Sequence, residues 1–178
     1  MSLQSEIDAL HCIASELLCL GLDGEPIYAD HFQQLNADVY NYAEALSCEH
    51  GSTSEEEASL CVALLAAYNA TIYNNGDKEE KIQVILERSW KVLEHLKSSL
   101  LKCQLLVACY GEVFDRELAQ EARAIMDSWE SRKLTDEERE VVEQLKALEE
   151  NPYPWDEMGE KAYYKKIIFT SVFYEYKS

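Results

Sequence analysis

Hydrophobic residues recur every three or four positions through most of the chain, which is the spacing of amphipathic helices. In the first such segment one face carries Ile7, Leu10, Ala14, Leu17 and Leu18. Gly21 is placed to end this helix. Alternation typical of β-strands is confined to the C-terminal end. The pattern predicts an all-α fold in which antiparallel helical hairpins form an irregular bundle.

Turn and capping residues divide this pattern into separate helices. A second helix opens near Asp30, after a turn segment that contains Asp23-Gly24. Ser52 and Glu55 have the spacing of a capping box, and they predict a third helix that runs to about Tyr73. The acidic residues at its start favour the positive end of the helix dipole.

Further helices follow in the second half of the chain. Asp77 and Glu80 are placed to cap a fourth helix, which forms an antiparallel hairpin with the third. A fifth helix is predicted over residues 99–110, and a short break at Gly111 precedes the sixth. A second capping box, Thr135-Asp136-Glu137-Glu138, opens a charged seventh helix.

A change of composition marks the end of the helical body. Asn151-Pro152-Tyr153-Pro154-Trp155 stops the last helix, because each proline disfavours helix in the residue before it. Residues 1–160 contain 12 basic and 33 acidic residues, whereas residues 161–178 contain 4 basic and 1 acidic. We predict a single all-α domain over residues 1–158 and a basic, aromatic tail over residues 159–178. The tail fits a strand, a continued helix or a segment packed on the body.

A short motif occurs twice at an offset of 42 residues. Cys61-x-x-Leu64-x-x-x-Tyr68 returns as Cys103-x-x-Leu106-x-x-x-Tyr110. The stretch from Leu64 to Ile82 resembles a tetratricopeptide unit, although the period of such repeats is about 34 residues. The motif leaves two interpretations of the fold open: a tetratricopeptide-like repeat and an irregular bundle.

The charge balance restricts the class of partner. The chain has 34 Asp and Glu against 16 Lys and Arg, a net charge of -18. Such a surface repels nucleic acid and anionic lipid, so a basic protein surface is the expected counterpart. The longest apolar stretch, from Ala58 to Tyr73, is shorter than the roughly 20 residues of a membrane span. With no secretory signal pattern at the N-terminus, we expect a cytoplasmic protein, and the sequence leaves its oligomeric state open.

Signatures of catalysis, cofactor binding and metal binding are absent from the sequence. Asp8-x-x-His11 is the one pair of carboxylate and imidazole with helical spacing, and chance explains it better than a metal role for His11 or Cys12. The six cysteines contain no C-x-x-C pair and are expected to be free, mostly core thiols. We predict no enzyme, no cofactor and no metal site.

The candidate contact residues are acidic and aromatic. Two acidic clusters fit either favourable helix starts and solvated faces or a surface presented to a basic partner. Two aromatic residues in the proline-rich segment fit either an exposed anchor or a pin that holds a loop on its own domain. The candidate partner-binding residues are Glu55, Glu56, Glu57, Glu137, Glu138, Tyr153 and Trp155.

Residues 4 to about 157 resemble the UpxZ family. The resemblance rests on the joint occurrence of several runs of ordinary residues. They are Gly21-Leu22-Asp23-Gly24-Glu25-Pro26-Ile27-Tyr28, Glu55-Glu56-Glu57-Ala58-Ser59-Leu60-Cys61, the run from Tyr68 to Lys81, the run from Leu101 to Glu112, and Asn151-Pro152-Tyr153-Pro154. The basic aromatic tail after Trp155 departs from the family pattern.

This resemblance implies a regulatory protein. UpxZ proteins are encoded beside capsular polysaccharide loci of gut anaerobes and antagonise the NusG-like antitermination factors, UpxY, of other such loci. The resemblance therefore implies an inhibitor whose partner is a NusG-like factor, without a cofactor or direct contact to nucleic acid. The alternative is a tetratricopeptide-like scaffold that binds a peptide or helix of another protein.

Overall fold

The structure, a computed structural model, describes residues 2–72 and 76–150. These residues form helices and no strand, which confirms the all-α prediction. The helices are α1 (Leu3–Cys19), α2 (Ala29–Ser47), α3 (Ser54–Ala70), α4 (Lys78–Leu93), α5 (Leu100–Val113), α6 (Arg116–Asp127) and α7 (Asp136–Glu150).

Helices α1 to α6 form three consecutive hairpins that stack side by side. Helix α3 packs against its hairpin partner α4, against both helices of the preceding hairpin, and against α5 of the next one. Helix α5 in turn packs against α4 and α6. This order of contacts is typical of helical repeat proteins, but the hairpins begin at unequal intervals, at Leu3, Ser54 and Leu100. The fold is therefore an irregular stack of helical hairpins.

Helix α3 is the most deeply buried element of this stack. Apolar residues occupy most positions of α3 and are not confined to one face, whereas α2, α4 and α6 each have a polar face. A helix that is apolar all round is stable in water only when neighbours cover it. Its buried residues are Ala58, Leu60, Cys61, Ala63, Leu64, Leu65, Ala67, Tyr68 and Ala70.

The duplicated motif coincides with the buried faces of α3 and α5. All six of its residues are buried. Cys61 lies two turns into α3, however, whereas Cys103 lies in the first turn of α5. The two copies of the motif therefore occupy similar buried positions in α3 and α5. Their 42-residue offset differs from the interval between the hairpin starts at Ser54 and Leu100.

The third helix begins one residue later than predicted. Thr53, not Ser52, is its N-cap, and Thr53 Oγ1 accepts a hydrogen bond from the Glu56 amide at 3.1 Å. Glu56 Oε2 accepts from the amide and hydroxyl of Ser52, the residue before the N-cap, each at 2.7 Å. The shift follows from Gly51, whose amide donates to Glu57 Oε2 at 2.7 Å and holds the preceding loop across the helix end.

The predicted break at Gly111 is wrong. Helix α5 continues to Val113, and Gly111 is buried inside it. Phe114, with φ of 53°, ends the helix, and Asp115 caps α6 by accepting a hydrogen bond from the Glu117 amide at 2.9 Å. An interior glycine costs a helix only about 1 kcal/mol, which tertiary packing overrides.

Residues of two predicted features lie outside the described part of the chain. Asn74 and Asn75, in the predicted turn before α4, are among them, as is the whole segment after Glu150. The boundary predicted at residue 158 and the tail therefore stay predictions. None of the helices described in residues 2–72 and 76–150 is long and apolar enough to cross a membrane.

Arg88 on α4 joins three chain segments near the start of α3. Its Nε atom donates to Glu57 Oε1 at 2.7 Å, and its other nitrogens donate to the carbonyl oxygens of Ser47 and Glu49 at 3.0 and 2.7 Å. The Arg88 and Glu57 side chains are only 10% and 13% exposed. Because Arg88 lies late in α4 and Glu57 early in α3, the pair also shows that this hairpin is antiparallel.

Replacing Arg88 with methionine should lower the free energy of unfolding by about 3 kcal/mol, because it leaves the Glu57 carboxylate buried without its cation. Chemical denaturation followed by circular dichroism measures this loss. Lys91→Met, at an exposed position of the same helix, is the matched control and should cost less than about 1 kcal/mol. Equal losses in the two variants would show that the buried pair has no special role.

Candidate interaction surface

The buried cysteines are poor candidates for chemistry. All six cysteines are free, and Cys61, Cys103 and Cys109 are buried. Burial raises the pKa of the Cys61 thiol to about 11 and those of the other two to about 12, which keeps them protonated. The expectation of core thiols therefore holds for three cysteines, while Cys12, Cys19 and Cys48 are exposed.

His11 and Cys12 both lie exposed on α1. Asp8, the carboxylate spaced for His11, accepts a hydrogen bond from Gln4 at 2.8 Å. Within residues 2–72 and 76–150, no group of three or more His, Cys, Asp and Glu side chains is arranged to hold a metal ion.

The first predicted acidic cluster lies at the start of α3. Burial disfavours the charged form of Glu57, but hydrogen bonds from Arg88 and the Gly51 amide outweigh it and lower the pKa of this carboxyl. Hydrogen bonds from Ser52 likewise lower the pKa of Glu56. Both carboxylates therefore hold the helix start, and only Glu55 is left fully exposed.

The second predicted cluster begins α7. The capping box predicted here is confirmed, since Glu138 accepts from the Thr135 amide at 2.9 Å and Thr135 Oγ1 accepts from the Glu138 amide at 3.1 Å. Arg132 adds two hydrogen bonds to the Glu138 carboxylate, at 2.8 and 2.5 Å, and the Glu138 side chain is only 7% exposed. Glu137 is exposed, and Tyr153 and Trp155 lie outside the described residues.

Another surface lies where α1 joins α2, and we call residues 16–31 the α1–α2 tip. An open cavity of about 400 Å³ lies here, at the C-terminal end of α1. Acidic, apolar and small side chains line it together with one imidazole. The lining residues are Glu16, Cys19, Leu20, Gly21, Asp23, Glu25, Pro26, Ile27 and His31.

Two glycines and an aspartate shape the tip. Gly21 and Gly24 both have φ of +81°, a conformation that other residues rarely adopt. Asp23 Oδ1 accepts a hydrogen bond from the Glu25 amide at 3.1 Å, which turns the chain between them. A Cβ atom on Gly21 would lie 2.7 Å from Ile27 Cδ1, so the absence of a side chain there lets Ile27 pack close.

Large apolar side chains beside the cavity face solvent. Leu22 is 77% exposed and Tyr28 is 70% exposed, each next in sequence to a residue that lines the cavity. Leu18 is exposed as well, although its position in the helical pattern predicts a place on the buried face. Leu17, the residue before it, is buried, so the exposure is specific to the side of the helix on which Leu18 lies.

The tip lies in the first 77 residues of the chain, where histidine is the only basic side chain. The sequence contains no lysine or arginine before Lys78. In the tip itself, His31 is the basic group, with Nε2 3.9 Å from Glu16 Oε1. The sequence predicted the turn at the tip but not its role as a candidate contact surface. Two sequence features point to that role, which are the lack of lysine and arginine before Lys78 and the apolar residues within the turn.

The comparisons with known proteins agree on one family. A model described as "UpxZ family of transcription anti-terminator antagonists" matches residues 7–111, a range that includes the tip and α3. A crystal structure of the transcription anti-terminator antagonist UpxZ from Bacteroides uniformis ATCC 8492 is 46% identical in sequence, with a TM-score of 0.79. It is matched over 88% of this chain and 98% of its own. The chain belongs to the UpxZ family.

Membership in the UpxZ family gives the chain a regulatory role in transcription. The family resemblance carried by Gly21–Tyr28 and the other runs is confirmed. No curated protein matches the chain significantly. The comparisons name no residue through which a UpxZ protein contacts its partner.

The Glu138 pair predicts an acid dependence of stability. Hydrogen bonds from Arg132 and the Thr135 amide lower the Glu138 pKa to about 2, from about 4.5. A carboxyl with a depressed pKa contributes stability that is complete above the unfolded-state value and is lost as the pH falls toward 2. Glu138→Gln should therefore lower Tm at pH 7, and its difference from the native chain should shrink below about pH 4.5.

Thermal unfolding from pH 7 to pH 2 tests this dependence, with Glu137→Gln as the exposed control. The control should follow the native curve at every pH. A Glu138→Gln difference that stays constant down to pH 2 would contradict the ionic pairing.

The tip glycines predict a difference between two identical substitutions. Gly24→Ala should cost about 1–2 kcal/mol from backbone strain alone, because no atom lies within 4 Å of the added Cβ. Gly21→Ala should cost more, because its Cβ also displaces Ile27. Ile27→Val removes the Cδ1 atom, so adding it to Gly21→Ala should recover part of the extra loss. Denaturant unfolding measures the free energy of unfolding of Gly24→Ala, Gly21→Ala, Ile27→Val and the double variant Gly21→Ala with Ile27→Val. Equal losses at the two glycines would contradict the close packing.

Proposed function

We propose that this UpxZ-family protein binds a NusG-like antitermination factor of the UpxY type and prevents it from acting on a capsular polysaccharide locus. Family membership carries this proposal. The family is described by its antagonism of transcription anti-terminators, and antagonism requires a physical target. The finer identity of that target, a NusG-like factor, follows from the resemblance on which the sequence prediction rests.

The charge of the chain supports a basic protein surface as the target. A net charge of -18 attracts a positively charged partner over a distance set by the salt concentration, about 10 Å at 0.1 M. A factor that works beside negatively charged nucleic acid is expected to present such a surface. Glu55 and Glu137 are exposed and suited to direct contact with the partner. Glu56, Glu57 and Glu138 accept hydrogen bonds at helix starts and contribute to the negative electrostatic field of the chain.

Binding, not catalysis, is the proposed mode of action. The acidic chain would occupy the surface through which the factor engages RNA polymerase or its transcript target. No cofactor enters this mechanism, and Tyr153 and Trp155 stay candidates for an aromatic anchor. Because transcription takes place in the cytoplasm of a bacterium, we propose that the protein acts there.

The proposal is tested by size-exclusion chromatography of the purified chain with a panel of UpxY-type factors. We expect a stoichiometric complex with a subset of the panel, whose Kd rises as NaCl increases from 50 to 300 mM. In transcription assays the same factors should lose antitermination activity when the chain is added. Absence of a complex with every factor at low salt, from a chain shown to be folded, would overturn the proposal.

The stacked hairpins also support a second candidate, a helical scaffold that binds a peptide of another protein. Helical repeat proteins present extended surfaces in this way. The two candidates differ in what is bound, because a scaffold would bind a short isolated segment as tightly as the whole partner. Fluorescence polarisation with peptides from any bound factor separates them.

A further inference from the structure

We infer that the α1–α2 tip is the surface that binds the partner, and that it receives a segment carrying Arg or Lys beside an apolar side chain. This inference rests on the proposed function and adds the place of contact and the chemistry of the segment. Three properties of the tip carry it: its cavity, its exposed apolar side chains and its uncompensated negative charge.

The cavity is electrostatically suited to a cation. Glu16, Asp23 and Glu25 line it, and it lies at the C-terminal end of α1, where the helix dipole is negative. The last turn of α1 has no basic residue. A guanidinium or ammonium group placed there would meet three carboxylates and the carbonyl end of a helix.

The apolar side chains beside the cavity supply the second part of the contact. Leu22 and Tyr28 are exposed by 77% and 70%, on either side of the acidic turn. Interfaces are commonly anchored by a few apolar and aromatic side chains that polar residues surround, and tyrosine is enriched among them. An apolar side chain of the partner next to its cation would cover these groups while the charges pair.

Some other acidic residues in the described part of the chain have a lysine or arginine as partner. Glu44 pairs with Lys81 of α4 at 2.7 Å, and Asp136 at the start of α7 pairs with Arg139 at 3.1 Å. At the tip the basic group is His31, so a cationic partner would add the kind of pairing that lysine and arginine supply elsewhere.

The test compares two double charge reversals that change the net charge equally. Glu16→Lys with Glu25→Lys alters the tip and leaves the Asp23 turn intact. Glu87→Lys with Glu94→Lys alters one exposed position of α4 and its exposed C-cap residue, and serves as the control. By isothermal titration against a factor that binds the native chain, the tip variant should raise Kd about tenfold or more, and the control less than about threefold.

A second pair of variants tests the apolar part of the contact. Leu22→Ser with Tyr28→Ser should raise Kd about tenfold without changing the salt dependence. Val84→Ser, at an exposed apolar position of α4, is the control and should bind like the native chain. All these side chains are exposed, and circular dichroism with Tm confirms that each variant is folded before binding is measured.

The outcomes separate the inference from the proposed function. If the native chain binds and the tip variants bind equally well, while Glu55→Lys with Glu137→Lys loses binding, the contact lies at the helix starts and the inference is wrong. If only the charge reversal weakens binding, the tip attracts the partner without anchoring it, and the inference is again overturned. If the native chain binds no factor, the proposed function fails and the inference fails with it.

Discussion

The need to bury most of α3 determines the rest of the structure. A helix this apolar is not stable at the surface, so it requires neighbours around most of its circumference, and a stripe through Ser59, Val62 and Asn69 stays half-buried. Helices α1, α2, α4 and α5 provide these neighbours. The stacking of hairpins is therefore a consequence of covering one helix, and equal repeat length is not needed for it.

Two polar clusters set the position of α3 among these neighbours. Near its start, Glu57 is joined by Arg88 to α4 and to the end of α2. Near its end, the Tyr68 hydroxyl donates to Glu44 of α2 at 2.8 Å, and Lys81 of α4 lies 2.7 Å from the same carboxylate. Burial and this carboxylate raise the Tyr68 pKa, so the hydroxyl stays a donor. Apolar packing alone allows a helix to slide, whereas paired polar groups at both ends penalise such a shift.

The sequence predicted most of what depends on local pattern and failed mainly where packing between elements decides. Helical spacing and the capping box at Thr135 are local, and both are confirmed. The start of α3 is also local and was missed by one residue, whereas the passage of α5 through Gly111 depends on tertiary packing. The role of the acidic residues also depends on contacts that the sequence does not show. Glu57 stabilises the fold because Arg88, 31 residues away, donates a hydrogen bond to it. Glu138 is used in the same way by Arg132. From the sequence alone, a carboxylate that holds a helix start and one that faces a partner look the same.

This distinction explains why the α1–α2 tip stands apart from the other acidic clusters. Where carboxylates serve the fold, a cation or a helix amide lies within hydrogen-bond distance, and the pKa of Glu57 and Glu138 falls accordingly. At the tip, three carboxylates surround a cavity that contains no lysine or arginine, beside apolar side chains exposed to water. Apart from the hydrogen bond from the Glu25 amide to Asp23, these carboxylates and exposed apolar side chains make few contacts that hold the fold together. Groups that the fold does not use in this way are available to a cationic, partly apolar partner, which is why the tip suits binding.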